Sequence, residues 1–413
     1  MTSISIKNIG AVTNVDLNMN RVNVLMGPQS SGKSTIAKIV SFCQWAEKKY
    51  ILEGRGFKCD FEELFIKFHK VSKAYFSKDS SFKYESDQII ISQKGTRMSV
   101  EFNPKGDPLA YQKSKNIYIP AERNFVSAIP NLGKYNETND NIMNFLYDWF
   151  DAKKNYNENN ALSVMNLGVS YSYTQELDEL TLTKNKKKLL LKDASSGLQS
   201  VIPLLMLIDY LSVGFYSKSR SNSVNEKEGV MNALVDRLQF AVDNPEKSQP
   251  NIKDGVKIKL TKAETQFVLK LVTNRTKYFH TNFIIEEPEQ NLFPTTQRDL
   301  VYYMFEQILN NDRPHNLFIT THSPFILYAI NNCIMGKRVS KDMPKDEQQE
   351  LLSHKSWVNP SWVSIWQINE GVINSVIDEK TGTVTKHYFN EIMSELLDEY
   401  YDMLNYFKYD QEA

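Results

Sequence analysis

Cysteine is scarce in this chain. Cys43, Cys59 and Cys333 are its only three among 413 residues, and they stand far apart. Such spacing supports neither a disulfide framework nor a zinc knuckle. Long hydrophobic runs are missing too: none approaches the roughly 18 consecutive apolar residues of a membrane span. The segment Met1-Thr2-Ser3-Ile4-Ser5-Ile6-Lys7 alternates like a strand and lacks the charged start and apolar stretch of a signal peptide. Nor is there an excess of one charge. Acids and bases number 49 each, so bulk charge announces no nucleic-acid partner, although a local basic patch is left open. Internal repeats, low-complexity segments and sustained heptads are absent, which excludes a long coiled-coil arm. The expectation is a reduced, cytoplasmic protein without a membrane segment. With 41% hydrophobic and 24% charged residues, it has the composition of one large globular domain or a core with a lobe.

What is present is concentrated at four stations. The first is Gly27-Pro28-Gln29-Ser30-Ser31-Gly32-Lys33-Ser34, followed by Thr35. It is preceded by the apolar run Val22–Met26 and followed by a helix-like run from Thr35 to Val40. A loop that turns a buried strand into a helix aims backbone N–H groups and the positive end of the helix dipole at one point. Lys33 is placed to reach β and γ phosphates, and the Ser34 hydroxyl to ligate Mg²⁺. The second station is Phe283-Ile284-Ile285-Glu286-Glu287-Pro288-Glu289. It puts two carboxylates at the carboxyl end of a buried strand, where ligands of open α/β sheets sit. Glu286 is assigned to Mg²⁺, and Glu287 to orienting and deprotonating an attacking water. The third is Thr320-Thr321-His322-Ser323-Pro324, where a strand-end histidine can bond a γ-phosphate and sense its loss. The fourth is Ala194-Ser195-Ser196-Gly197-Leu198-Gln199-Ser200, small residues before an apolar helix.

Other segments read more simply. Strands are expected between Ser3 and Met26, over Asp87–Ile91 and Met98–Phe102, and over Asn116–Pro120. A hairpin joins Glu179–Thr183 to Lys188–Lys192. Its turn carries Lys184, Lys186 and Lys187, a solvated charge cluster or a contact for DNA phosphates. A helix is expected from Ser200, with Pro203 in its first turn. Asn282–Ile285, a helix over Thr296–Leu309 and Asn316–Thr320 make a βαβ unit of parallel strands. The tail offers two strands, Val363–Ile368 and Val372–Ile377, then a helix over about Asn390–Tyr406.

In this order the stations resemble the heads of ABC-type ATPases, in the branch that holds RecF, SMC heads and the OLD ATPases. Gly27–Ser34 stands as the Walker A, Ser195-Ser196-Gly197 as the signature, Glu286-Glu287 as the Walker B with its catalytic acid, and His322 as the switch histidine. The run from Glu286 to Pro294 is similar to the E-E-P-E-x-x-L-x-P phrase of OLD-like ATPases, as is Thr321-His322-Ser323-Pro324. Tyr118-Ile119-Pro120-Ala121-Glu122-Arg123 is similar to another phrase of this group. There are departures: Glu286 replaces Asp, the signature reads Ser-Ser-Gly-Leu-Gln, Asn291 stands where relatives carry His, and neither Gln88 nor Gln112 is placed as a Q-loop residue. For Glu122 and Arg123 two readings stand, action near the nucleotide or a structural ion pair.

The resemblance implies an α/β fold, an ABC-type P-loop ATPase head with a mixed or parallel central sheet, a β-meander subdomain and helical lobes. Residues 1–335 would form the ATPase domain, with a helical lobe at about 125–175 and a helical insert at about 215–278, and 336–413 a C-terminal α/β extension. It further implies ATP and Mg²⁺ as cofactors, and an ATP-sandwich dimer or higher oligomer in which Ser195, Ser196 and Gly197 close on the partner's nucleotide. The residues after His322 contain no Asp-x-Asp, so a Toprim nuclease domain is not expected. The effector, a nuclease or toxin, would be a separate protein, as in antiphage systems of the Septu or PARIS type or those accompanying retrons. The alternative is a DNA repair or recombination clamp of RecF type. A transporter subunit is disfavoured by the long lobes and the missing Q-loop.

Overall fold

Every residue of the strand before the phosphate loop is buried. The reason is its place near the middle of a large sheet covered on both faces, a setting that selects unbroken apolar runs over alternation. The computed structural model describes residues 2–54, 57, 61–95, 97–107, 110–129, 140–217, 270, 273–309, 312–385 and 387–407. Most of the expected 215–278 insert and Cys59 lie outside them.

In chain order the strands are β1 (Thr2–Ile9), β2 (Val12–Met19), β3 (Val22–Met26), β4 (Phe76–Glu85), β5 (Ile89–Lys94), β6 (Arg97–Phe102), β7 (Ser114–Ile119), β8 (Leu162–Ser163), β9 (Val169–Thr174), β10 (Leu177–Leu182), β11 (Lys188–Leu190), β12 (His280–Glu286), β13 (Asn316–Thr321), β14 (Val363–Asn369) and β15 (Val372–Ser375). Eleven of them form one mixed sheet in the order β6-β5-β4-β1-β2-β15-β14-β3-β13-β12-β7, and β8 to β11 form a second sheet of four. The half from β14 to β7 is parallel. From β6 to β2 the sheet is an antiparallel meander hinged on β1, and β15 joins it through a parallel bridge to β2. The fold is therefore mixed α/β. Part of the expected 336–413 extension is woven into it, since β14 pairs directly with β3.

Six helices matter below: α1 (Lys33–Glu53), α2 (Asn141–Lys153), α3 (Ser196–Asp209), α4 (Pro294–Leu309), α5 (Pro324–Val339) and α6 (Tyr388–Leu404). Alternate residues of each central strand serve different cores. Phe283, Ile285, Leu317 and Ile319 pack with α2 to α5, whereas Ile284 and Phe318 pack under α1. This period of two decides which way each strand-end acid points.

Two expectations shift. Helix in the 125–175 lobe ends at Lys153, and β8 and β9 follow, because Val169-Ser170-Tyr171-Ser172-Tyr173 alternates as a strand does. The apolar helix begins at Ser196, so Pro203 sits inside it, past the first turn. Pro203 cannot donate to the Gln199 carbonyl, which instead accepts from the Ser127 hydroxyl at 3.1 Å. The helix runs on without a break to Ser217. It is long and apolar enough to cross a membrane, but 72% of its most apolar window is buried in the protein, as befits a core helix.

Candidate active site

At the end of β3 the chain makes a turn that side chains resist. Gly27 has φ 154° and Gly32 φ 102°. A Cβ on Gly32 would lie 2.7 Å from Val12 Cγ2, and one on Gly27 2.5 Å from the Ile368 carbonyl oxygen. Both positions therefore require glycine. α1 starts immediately, its first bond running from Ile36 N–H to the Gly32 carbonyl at 3.0 Å. The amides of Lys33, Ser34 and Thr35 consequently have no partner within the helix. No side chain caps this end and no acid stands in its first turn, so the dipole is left for an anion. Pro28, Gln29, Ser30 and Ser31 form the outer rim, with Gln29 and Ser30 exposed.

The Lys33 ammonium is buried and folds back onto the loop, donating to the carbonyls of Gly27 (2.9 Å) and Pro28 (2.6 Å) and to the Ser31 hydroxyl (3.3 Å). Burial lowers its pKa to about 8, against the opposing pull of Glu287, Glu289 and Glu286. These acids sit on β12 and the turn after it. β12 is parallel to β13, which is parallel to β3, so the phosphate loop, the acids and His322 share the carboxyl edge of three adjacent strands.

The two adjacent acids part ways. Glu286 continues β12 on the α1 face and is 5% exposed. Burial raises its pKa, opposed by the Tyr118 hydroxyl, Lys38 and the Ser34 hydroxyl. Among the described residues neither hydroxyl satisfies its Oε1, which has no hydrogen-bond partner there, and the Tyr118 hydroxyl has none either. A buried carboxylate oxygen without a donor, beside the Ser34 hydroxyl, fits a hard divalent cation such as Mg²⁺. That ion takes few protein ligands and completes its shell with phosphate and water. Among the described residues no cluster of three or more His, Cys, Asp or Glu could hold a metal by itself.

Glu287 leaves the strand with φ 43°. Its amide donates to the Thr320 carbonyl at 2.9 Å, and its carboxylate lies 3.2 Å from His322 Nε2. The bond to His322 is the main reason its pKa is lowered. Glu289 braces this neighbour from below, accepting from the Thr321 hydroxyl at 2.9 Å and the His322 amide at 2.6 Å. Ser323 caps α5 by accepting from the Phe325 amide at 3.1 Å.

Arg123 is the residue the sequence reading did not resolve. It is fully buried, makes no ion pair among the described residues, and does not reach toward the loop of Lys33. Its Nε donates to the Ser200 carbonyl (3.1 Å), Nη1 to those of Pro120 (3.3 Å) and Glu286 (2.9 Å), and Nη2 to those of Glu287 (2.9 Å) and Pro288 (3.1 Å). All five guanidinium N–H groups thus end on backbone carbonyls. Burial lowers its pKa to about 10. Glu122 points to solvent. Arg123 therefore ties the acid turn to the helix that follows Ser195.

Ser195 and Ser196 are exposed at the start of α3, and the Ser195 side chain makes no capping bond. Gly197 lies against the acid turn from behind, where a Cβ would meet the Asn291 carbonyl oxygen at 2.8 Å. The structure does not join Ser195, Ser196 or Gly197 by any hydrogen bond to the Lys33 loop. On the β10–β11 hairpin, Lys188 is paired with Glu158 and Glu179, while Lys184, Lys186 and Lys187 are exposed.

Fold and site together define a mixed α/β protein with a phosphate-loop turn between its central strand and first helix. No protein-family model matches the chain, and no curated protein does. Among the solved structures that are similar at low identity, three illustrate the likeness. The SMC head domain from Thermotoga maritima is 9% identical with a TM-score of 0.37, over 91% of this chain and 98% of that one. An SMC head bound to the C-terminal winged-helix domain of ScpA is 11% identical with a TM-score of 0.39, over 92% and 98%. The recombination mediator RecF with bound ATPγS is 10% identical with a TM-score of 0.29, over 91% and 97%.

Proposed function

We propose that this chain binds ATP with Mg²⁺ at the β3–α1 turn and hydrolyses it. The observation that carries this reading is the convergence of Lys33, Ser34, Glu286, Glu287 and His322 at the carboxyl ends of three neighbouring parallel strands. The free amides of Lys33, Ser34 and Thr35 would receive phosphate oxygens, and the Lys33 ammonium would exchange its loop carbonyls for the β and γ phosphates. Ser34 and Glu286 would hold the Mg²⁺, which when bound neutralises developing phosphate charge. Glu287 would accept a hydrogen bond from the attacking water. With its pKa held down by His322 it is a weak base, better suited to orienting the water than to taking the proton early. His322, 3.2 Å from Glu287, would register loss of the γ-phosphate.

The exposed Ser195 and Ser196 would act on a second copy, closing an ATP-sandwich dimer. In the finer form of the proposal the chain is the regulatory ATPase of a bacterial antiphage complex, controlling a separate nuclease or toxin. The likeness of Glu286–Pro294 and Thr321–Pro324 to the OLD-like phrases supports this form. The second reading is a RecF-like or SMC-like clamp on DNA, favoured by the exposed Lys184, Lys186 and Lys187.

The test is ATP turnover by the purified chain with Mg²⁺, beside Lys33→Ala. Turnover that disappears with Lys33→Ala supports the site, and equal rates in the two proteins would overturn it. Mixing Ser195→Arg with Lys33→Ala then tests the dimer. Because only one composite site in a mixed pair stays intact, partial recovery supports sharing between copies, and no recovery in verified mixed dimers excludes it.

A further inference from the structure

Among the described residues a long exposed apolar surface lies far in sequence from this site, on α6 (Tyr388–Leu404). No residue of α6 is buried, and from Met393 through Phe407 every residue is exposed. Among the described residues, the bonds that hold it to the body lie in its first turn. A reciprocal cap joins His387 and Asn390, the Tyr388 amide donates to Gln367 Oε1 at 2.9 Å, and Asn390 Nδ2 donates to the Tyr328 hydroxyl at 3.3 Å. Beyond that turn none of the described helix residues is buried.

Its sequence is not that of a solvated helix. Phe389, Met393, Leu396, Tyr400 and Met403 recur in alternating steps of four and three, a continuous apolar stripe. Met393, Leu396, Tyr400 and Met403 are 59%, 59%, 55% and 60% exposed. Leu397 and Leu404 widen the stripe beyond the seam of a two-stranded coil, to the width of a helix buried on a core. Isolated exposed apolar residues need no explanation, but a contiguous stripe marks an interface.

The polar side selects the occupant. It carries Glu391, Glu395, Asp398, Glu399 and Asp402, and no Lys or Arg occurs between Tyr388 and Leu404. Helices that lie on membranes carry Lys and Arg there, so an anionic bilayer would repel this one. A second α6 would bring only more acids. We infer that α6 is a docking arm for a different protein, which receives the stripe in an apolar groove rimmed by Lys and Arg. This deepens the proposed function by locating the partner's seat, and rests on that reading only for the partner's role as effector.

The test uses the full chain in its native host, with photoreactive p-benzoylphenylalanine in place of Leu396, followed by identification of the crosslinked segment. The purified pair is then titrated at low and high salt. The expected result is a crosslink to another protein, at an apolar segment flanked by Lys or Arg, with affinity that falls as salt rises. Tyr400→Asp should weaken binding at least about 100-fold without moving the thermal midpoint, because the side chain is exposed. Replacing Glu395, Glu399 and Asp402 by amides should flatten the salt dependence. A crosslink to another copy, to lipid, to no protein, or to a segment whose binding ignores salt overturns the inference. ATP turnover, measured on Tyr400→Asp, separates the two proposals. Inactive wild-type protein would remove the ATPase reading and leave the docking result standing.

Discussion

Replacing Arg123 by lysine tests whether the acid turn is held by this one side chain. The guanidinium places five N–H donors on five carbonyls, while an ammonium has three donors at most. At least two of these carbonyls must then lose a charge-assisted bond, although that of Glu287 keeps the Gln290 amide at 3.1 Å. At about 1–3 kcal/mol each, Arg123→Lys should cost about 2–6 kcal/mol, measured by denaturant unfolding. Charge burial does not offset this loss: it lowers the Arg123 pKa to about 10, and a buried lysine ammonium bears the same kind of cost. Arg123 bonds the Glu286, Glu287 and Pro288 carbonyls and makes no contact with the Lys33 loop, so its loss should fall on turnover. The kcat for ATP should drop by at least about tenfold while nucleotide affinity stays within a few-fold, an outcome that a general loss of folded protein would not give. Turnover and unfolding midpoint both equal to wild type would refute the argument. If the lysine variant does not fold, a folded Arg123→Gln chain with wild-type kcat would refute it equally.

Three more expectations follow from the geometry. Glu287→Gln keeps the shape of the turn and removes the charge, so single-turnover hydrolysis should slow by about 10² to 10⁴ with ATP still bound, and an unchanged rate removes Glu287 from its role. Lys33 has a pKa of about 8, and phosphate prefers the charged form; raising the pH through 8 therefore discharges the free protein's ammonium, and affinity measured by calorimetry should fall by up to about tenfold per pH unit. A flat profile between pH 7 and pH 9 contradicts that placement. Gly336→Ala would set a Cβ 2.0 Å from Trp357 Nε1 and should destabilise the chain by about 1–3 kcal/mol in thermal or denaturant unfolding.

Where a segment's fate depends on residues near it, the sequence revealed it. β3, β12 and β13 are readable because strands covered on both faces must be apolar throughout, and the βαβ order then fixes their neighbours. Strand-end placement of Glu286, Glu287 and His322 comes with them. Less was legible where the deciding partner is remote. The start of α3 at Ser196 is obscured by Pro203, which looks like a first-turn residue. It is tolerated inside because Ser127, distant in sequence, takes the carbonyl it leaves free. The role of Arg123 was hidden for a different reason. All its partners are main-chain oxygens, and backbone carbonyls leave no residue-type signature. The Glu122–Arg123 pair suggested an ion pair that the fold does not make.

Strain explains how two consecutive acids come to do different things. Successive strand residues point to opposite faces, so an unbroken β12 would send Glu287 into the core of α2 to α5. A left-handed φ of 43° at Glu287 ends the strand and turns the carboxylate to His322. Such a conformation costs about 1–2 kcal/mol for a residue with a side chain, and Asn291 at φ 60° adds to it. Glycine would remove the cost at Glu287 but also the carboxylate. The strain must be offset by bonds to the turn itself, and those are the carbonyl bonds from Arg123 and the grip of Glu289 on Thr321 and His322. Arg123 also holds the Ser200 carbonyl, and Gly197 leaves no slack against Asn291. The Glu287 turn therefore cannot relax without disturbing the first turns of α3, the same turns that present Ser195 and Ser196 to solvent.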